Sequence, residues 1–582
     1  MPYYPTRKLT VLALDPGVKA DGKILRTQIE IPNEALEAGP RGYRVHIIDF
    51  DSTSNVLAPA VKISARENTD ISSPVDPFEN QPDDKLLVSP SFHAWMTYGV
   101  IMKTLSRFEF ALGRRIGWSF AGPQIQVSPH AFADANAFYS DRAQGLFFGH
   151  FPSLDGRRTI YTCLSHEVVA HETTHALLDG LRERYMAPSS PQQAGFHEAF
   201  ADIVALLSIF SAQSVVEKMV DLGMPNVSAK TIRRSDMTPD KLRSSALLGL
   251  AQQMGSELSG IHGQALRRSV SLPPNPKYLS TEEFSEPHTC GEVLVAAVLN
   301  GYLEVWINRL KAIGDNSQLD RNRAAEEGAE IADRLLTMCI RAIDYCPPTD
   351  LQFSDFASAV LTADWELNPK DDKYQIRASF LEWLAKYGIT PRSMGGQGRP
   401  LGVWEPPPDT SVFKYDRTHF DSMKVDPNEF FRFLWENREV VNLNQDAFTR
   451  VLSVRPCIRT GRDGFMLRET VVEYHQQLTV FASELYRLNI DKPDGMPDET
   501  EVTIYGGNAV IFDDYGRVKY NIGNAIIQSG EKQQRQSDRL NYLWQHGAFD
   551  KGASRARAFA RLHRMRRTNW YRSTGIETDG ED

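Results

Sequence analysis

Residues 165–181 read SHEVVAHETTHALLDGL, and the apolar residues on either side of His171 and His175 recur at helical spacing. Histidines at i and i+4 lie on one face of a helix, about one turn apart, so both imidazoles can bind one zinc ion. Glu172, between them, would point toward the open side of that ion. A lone match to this pattern also arises by chance, so the prediction needs a third ligand.

The third ligand is predicted from residues beyond this helix. A hydrolytic zinc site takes three protein ligands and keeps one position for water. A metzincin-type extension is excluded, because Leu178 and Leu181 stand where it needs Gly and His. Residues 195–202, GFHEAFAD, instead supply Glu198, 23 residues past the second motif histidine, with Asp202 on the same helical face. Asp202 is placed to accept the other N–H of a zinc-bound histidine.

These two motifs together resemble those of the thermolysin-like zinc metallopeptidases, the gluzincins. Further segments are similar to the same family, namely 136–139 (NAFY), 287–291 (PHTCG), 353–364 and 376–389. The similarity covers about residues 120–390. It implies an α+β, two-lobed catalytic domain, with a sheet-rich amino-terminal lobe, a helical carboxyl-terminal lobe and the zinc helix between them. The Gly-x-Met-Glu-Asn motif of the family's aminopeptidases does not occur in the sequence, which favours an endopeptidase.

The resemblance also implies a cofactor, Zn²⁺, and a role for each matching residue. The implied metal ligands are His171, His175 and Glu198, with Asp202 supporting a ligand histidine. Glu172 is the implied general base, and the implied oxyanion stabilisers are His288 and Tyr185. The implied contacts to the substrate backbone are Asn136 and Ala137. The family's main calcium site uses an acidic residue eleven positions past the zinc glutamate, where this chain has Ile209, which argues against a calcium requirement. His197 is interpreted as facing away from zinc, and His166 as a surface or packing residue.

The composition limits the class of protein. The chain has 582 residues, 41% hydrophobic and 24% charged, as in soluble globular proteins, and a net charge of -9 argues against a surface that is basic throughout. No apolar stretch reaches the ~20 residues that span a bilayer, and the amino-terminal residues lack a signal-peptide pattern, so we expect a cytoplasmic protein. Five cysteines without CxxC spacing predict reduced thiols, and neither a disulfide framework nor a cysteine zinc site.

Pattern changes along the chain predict four regions. Residues 1–119 are a strand-rich region with one helix, and this region is expected to be part of the catalytic amino-terminal lobe. Residues 120–390 are the peptidase domain and 391–411 a Pro/Gly linker. Residues 412–582 are an α+β module with a basic tail. Within the first region, the extended runs between 8 and 63 predict one small sheet. In the second, helical patterns include 194–221 and 240–258.

The expected function is that of a zinc-dependent endopeptidase acting on a peptide or protein substrate. Because an unrestrained protease would damage a cytosol, we expect its activity to be gated, by narrow substrate choice or by the carboxyl-terminal module. The rival interpretation is a catalytically silent scaffold that acts through this module. The basic run 551–572 could bind nucleic acid, but a solvated helix face or a subunit contact is the favoured interpretation. Nothing in the sequence indicates an oligomeric state.

Overall fold

The structure is a computed structural model with α+β architecture: a mixed amino-terminal sheet, a helical region and a carboxyl-terminal antiparallel sheet of four strands. It describes residues 6–549, except for 15, 18, 21–22, 65–74, 154–155, 188, 224–229, 234, 236, 239–241, 243–268, 270, 314–317 and 528–530. The helix predicted over 240–258 and the basic run over 551–572 therefore lie outside the described residues, apart from Leu242.

The amino-terminal strands form separate sheets, not the one small sheet predicted from their sequence. The strands are β1 (Thr6–Leu12), β2 (Lys19–Ala20), β3 (Lys23–Ile24), β4 (Arg26–Pro32), β5 (Val45–Ile47), β6 (Phe50–Asp51), β7 (Val56–Leu57), β8 (Ile125–Phe132), β9 (Ala137–Ser140), β10 (Gly145–Pro152) and β11 (Thr159–Tyr161). β1 pairs with β4, whereas β5 joins β8 in parallel in the main sheet. Alternation along a strand shows which face is buried but not which partner it pairs with.

The main sheet presents an edge strand to the helical region. Its order is β11-β10-β8-β5, and β9 pairs antiparallel with β10 from the side. Among the described residues β9 pairs with no second strand, and it packs against the helix that carries the two motif histidines. This arrangement sets the open edge of β9 beside the candidate site.

Among the described residues, the helical region has nine α-helices and a pair of short strands, and the first two of these helices precede the main sheet strand β8 in the sequence. The helices are α1 (Asp83–Leu86), α2 (Pro90–Leu112), α3 (His166–Leu181), α4 (Pro191–Phe210), α5 (Gln213–Gly223), α6 (Pro287–Ala312), α7 (Arg321–Ala342), α8 (Phe353–Trp365) and α9 (Ile376–Lys386), with β12 (Thr231–Arg233) pairing β13 (Gln318–Asp320). The single helix predicted over 194–221 is interrupted at Ser211, so that α4 and α5 are separate.

Side-chain caps fix where the two motif helices begin. Ser165 accepts a hydrogen bond from the Val168 N–H at the start of α3. Ser190 accepts one from the Gln193 N–H at the start of α4, where Pro191 occupies the first turn. Each cap satisfies a backbone donor that has no partner within the helix, and thereby holds the helix start in register.

Helices α4 and α6 cross closely at two glycines near the site. A Cβ at Gly195 would lie 2.5 Å from the Pro287 carbonyl oxygen, and one at Gly291 would lie 2.7 Å from the Gly195 oxygen. Only glycine permits this approach of two backbones. Helix α6 is also the one described helix that is apolar and long enough to span a membrane, but 94% of its most apolar window is buried, as in the core helix of a globular protein.

The carboxyl-terminal region contains an antiparallel meander sheet and three α-helices among its described residues. Its elements are α10 (Phe420–Met423), α11 (Pro427–Glu436), β14 (Phe448–Thr460), β15 (Met466–Phe481), β16 (Glu501–Asp513), β17 (Val518–Asn524) and α12 (Glu531–Gln545), with sheet order β14-β15-β16-β17. Side chains of this sheet join the main core, among them Val471 and Ile511. The sheet thus packs directly on the helical region.

Candidate metal centre

Helix α3 holds the two motif histidines with their ring nitrogens facing each other. The Nε2 atoms of His171 and His175 are 2.9 Å apart, and the two rings are perpendicular. Both side chains are buried, and a carboxylate oxygen of Glu172 lies within 4.8 Å of the ring nitrogens. His171, Glu172 and His175 therefore form a buried group that could hold a metal ion, and the group resembles the HExxH zinc motif.

The outer nitrogen of each ring is held by a residue of α4. Nδ1 of His171 lies 2.7 Å from the Asp202 carboxylate, and Nδ1 of His175 lies 2.8 Å from Nδ1 of His197. When a histidine donates its Nδ1–H, its Nε2 carries a free lone pair. The Asp202 carboxylate, which can only accept, therefore favours the tautomer in which Nε2 of His171 is ready to bind a metal, and the His197 contact is compatible with the same tautomer of His175.

His197 has a supporting position that sequence reasoning missed. Its interpretation as facing away from zinc is consistent with its place, since it lies behind His175 on the side opposite Nε2. The contact itself was not predicted, because it depends on how α4 crosses α3. The available signal was the position of His197 directly before Glu198.

Glu198 approaches both histidines from α4. One of its carboxylate oxygens is 3.6 Å from His171 Nε2, and the other is 3.7 Å from His175 Nε2. The carboxylate therefore faces the space between the two nitrogens, as a third ligand must. Glu172 also lies beside the rings, but one of its oxygens accepts the Tyr139 backbone N–H at 3.0 Å. This bond connects Glu172 to the edge strand β9.

The electrostatics of the centre favour a bound cation. The carboxylates of Glu172, Glu198 and Asp202 are all nearly inaccessible to solvent. Although burial favours a neutral ring, the neighbouring carboxylates, with Asp202 foremost, raise the pKa of His171 to about 10. Buried charges of one sign are costly unless compensated, and a divalent ion compensates them. The imidazole and carboxylate donors are those that Zn²⁺ accepts.

The predicted substrate-backbone residues lie at the start of the edge strand. Asn136 precedes β9 and its side-chain oxygen accepts the Ala137 N–H at 2.9 Å, while its backbone carbonyl accepts the Gly149 N–H at 2.8 Å. Ala137 is buried. The same strand donates the Tyr139 N–H to Glu172, so these residues and Glu172 share one edge.

His288 has an acidic partner that the sequence left unassigned. Its Nδ1 lies 2.5 Å from a carboxylate oxygen of Glu286, whose other oxygen accepts the backbone N–H groups of His288 and Thr289. Despite burial, the hydrogen bonds and charge of His288 lower the pKa of Glu286. The Nε2 atom of His288 is buried and has no hydrogen-bond partner among the described residues. That nitrogen is available to a ligand.

Tyr185 belongs to the core. Its side chain is 2% exposed, and its hydroxyl donates to the Pro347 carbonyl at 2.7 Å. Burial raises the pKa of this phenol well above its usual value. Because its one proton is used by a buried carbonyl, this geometry gives the predicted oxyanion role of Tyr185 no support.

Comparison with protein-family models and with curated proteins identifies no relative of this chain. No protein-family model matches the chain, and no curated protein matches it. The likeness to thermolysin-like peptidases therefore rests on the residues of the motifs and on the geometry around them.

Proposed function

We propose that this protein is a zinc-dependent endopeptidase whose metal ligands are His171, His175 and Glu198. The observation that carries the proposal is the convergence of the two Nε2 atoms, 2.9 Å apart, with the Glu198 carboxylate 3.6 and 3.7 Å from them. Three protein ligands with an open fourth position are the composition of a hydrolytic zinc site. The carboxylate of Asp202 behind His171 matches the surroundings of metal-bound histidines.

The proposed reaction assigns the proton transfers to Glu172. A bound zinc ion would supply Lewis acidity, which favours ionisation of a water molecule and polarises the scissile carbonyl. Glu172 accepts the water proton and then delivers it to the leaving nitrogen, so one carboxylate serves as base and then as acid. The Tyr139 N–H holds one oxygen of Glu172 in place during these steps.

The substrate would bind along the open edge of β9. An extended peptide adds to such an edge through main-chain hydrogen bonds, and Asn136 and Ala137 mark its beginning. His288, oriented by Glu286, would donate from Nε2 to the developing oxyanion. Beyond the far end of β9, a cavity of about 510 Å³ lies between Asp141 and the end of α3. This cavity would receive side chains of the bound peptide.

The proposal is tested by metal analysis and peptide cleavage with the same preparations. The wild-type chain should retain zinc at the α3 site and cut a peptide library at defined positions, whereas Glu198→Ala should lose one equivalent of zinc and the cleavage. Glu326→Ala, at an exposed position of α7, is the matched control and should behave as wild type. Zinc without cleavage would indicate the silent scaffold. If Glu198→Ala lost no zinc, the ligand assignment would be wrong.

A further inference from the structure

A second group of metal-ligating side chains lies in the amino-terminal part of the fold. His93 of α2, His130 of β8 and Cys163 bring one nitrogen, one nitrogen and one sulfur to within 4.8 Å of one another. Cys163 belongs to the short 3₁₀ turn Thr162–Leu164, directly before the Ser165 cap of α3. None of these three residues takes part in the candidate centre on α3. The group is thus independent of the proposed peptidase function.

The two imidazoles face each other in a way that a hydrogen bond between two neutral rings does not explain. His93 Nδ1 and His130 Nε2 are 2.8 Å apart. The other nitrogen of His93 lies 3.0 Å from the Leu87 carbonyl oxygen, and the other nitrogen of His130 lies 2.8 Å from the Asp49 carboxylate. Both outer nitrogens face pure acceptors and must carry the hydrogens. Two neutral rings then direct lone pairs at the same point, so either a proton or a metal ion must lie between them.

The surroundings are those of bound metal ligands. Histidines that bind a metal commonly donate their other N–H to a carboxylate or a backbone carbonyl, and this pair does one of each. Cys163 is fully buried beside them and adds a soft donor. The Tyr161 ring packs against both imidazoles, with centroids 4.6 Å from His93 and 4.9 Å from His130, and covers the group.

We propose that His93, His130 and Cys163 form a second metal site, which binds a divalent ion of the Zn²⁺ class. Two imidazoles and a thiolate suit Zn²⁺ and exclude the hard ions Mg²⁺ and Ca²⁺, which prefer oxygen. On binding, the Cys163 thiol releases its proton to solvent, and the thiolate and Asp49 together balance the charge of the dication. The metal joins α2, β8 and the turn before α3, and so fixes the start of the helix that carries the candidate centre.

The proposal is tested with Co²⁺ as the probe. The full-length chain is freed of metal with a chelator and titrated with Co²⁺, while bound metal and the near-ultraviolet absorption are measured. A thiolate bound to Co²⁺ gives a charge-transfer band, which nitrogen and oxygen ligands do not give. The α3 centre contains no sulfur, so the band reports on Cys163. We expect the band in the wild type, and its loss with one metal equivalent in Cys163→Ala.

Three further variants separate this site from its alternatives. Cys339→Ala removes another buried cysteine and should keep the band. Glu198→Ala should lose one metal equivalent and also keep the band, so a failure of the peptidase proposal is visible separately. His130→Gln, at a partly exposed position, should lose the band without opening a core cavity. A Co²⁺-saturated wild type without the band, or a band that persists in Cys163→Ala, would overturn the proposal and leave a proton shared by the two imidazoles.

Discussion

At the scale of single residues, the candidate centre depends on hydrogen bonds behind the ligands. Asp202 holds His171 at 2.7 Å and His197 holds His175 at 2.8 Å, so each ring presents Nε2 to the same point. Partners of this kind typically raise metal affinity by about 10–100-fold. We therefore expect Asp202 and His197 to influence metal affinity, in addition to the proposed ligands.

In the proposed reaction, Glu172 is the residue whose replacement would separate metal binding from catalysis. Glu172→Gln keeps the size of the side chain and its acceptor for the Tyr139 N–H but cannot take a proton. We expect zinc content to be unchanged and turnover to fall by at least about 100-fold. Zinc analysis and peptide cleavage on one preparation measure both. Glu326→Gln on the exposed face of α7 should match the wild type, and a Glu172→Gln variant that still cleaves would disprove the assignment of the base.

At the scale of elements, the sequence predicts what lies within one helix but not what two helices bring together. The spacing of His171 and His175 was enough to predict their common face, because helical geometry fixes it. The contact of His197 with His175 was not predictable, since the crossing of α4 with α3 decides it. Glu286 and His288 lie two residues apart at the start of α6, where the side-chain rotamers decide whether they touch. His93, His130 and Cys163 belong to three elements and have no spacing signal at all.

The crossing of α4 and α6 is tested at Gly195. Gly195→Ala would place a Cβ 2.5 Å from the Pro287 carbonyl oxygen, and neither backbone can yield easily. We expect the free energy of unfolding to fall by about 1–3 kcal/mol, measured by urea denaturation. Zinc affinity should fall as well, because Glu198 lies one turn further along α4.

Gly301 in α6 is the matched control for that substitution. A Cβ there meets its nearest neighbour, Phe380, at 3.7 Å, which is ordinary contact. Gly301→Ala should leave zinc binding unchanged and stabilise the chain by roughly 0.5–1 kcal/mol, since alanine favours a helix interior over glycine. Equal effects of the two substitutions would show that the α4–α6 approach is not tight.

At the scale of the whole molecule, the carboxyl-terminal sheet is tied to the helical region by buried charges. Arg182, which ends α3, is fully buried and pairs with Glu473 of β15. Arg459 of β14 is also fully buried and pairs with Asp344, which follows α7, and with Glu469 of β15. Arg455 and Glu473 of the same sheet line the cavity at the end of α3. The sheet thus forms part of the wall of this cavity, and under the proposed function it would take part in the expected gating by substrate choice.

Replacing Arg459 tests how much its buried ion pairs contribute to the free energy of unfolding. Arg459→Met removes a buried cation and leaves two buried carboxylates with fewer partners, although Arg114 still pairs with Asp344 and Lys519 with Glu469. Because those partners remain, we expect a loss of about 3 kcal/mol, the low end for a broken buried pair. Arg468→Met on the exposed face of the same sheet, 3.9 Å from Asp514, should change stability by at most about 0.5 kcal/mol.

The ion pair of Arg459 with Asp344 also predicts how the stability lost in Arg459→Met depends on pH. Although burial would raise it, Arg114 and Arg459 hold the pKa of Asp344 below its usual 3.8. A carboxylate with a lowered pKa stabilises the folded state above its usual pKa, and this contribution disappears as the pH falls through the folded-state value. The difference between wild type and Arg459→Met should therefore be largest at neutral pH and shrink below pH 3.8. Urea unfolding of both proteins across the acid range measures this, and a difference that grew with acidity would refute the role of the ionised Asp344.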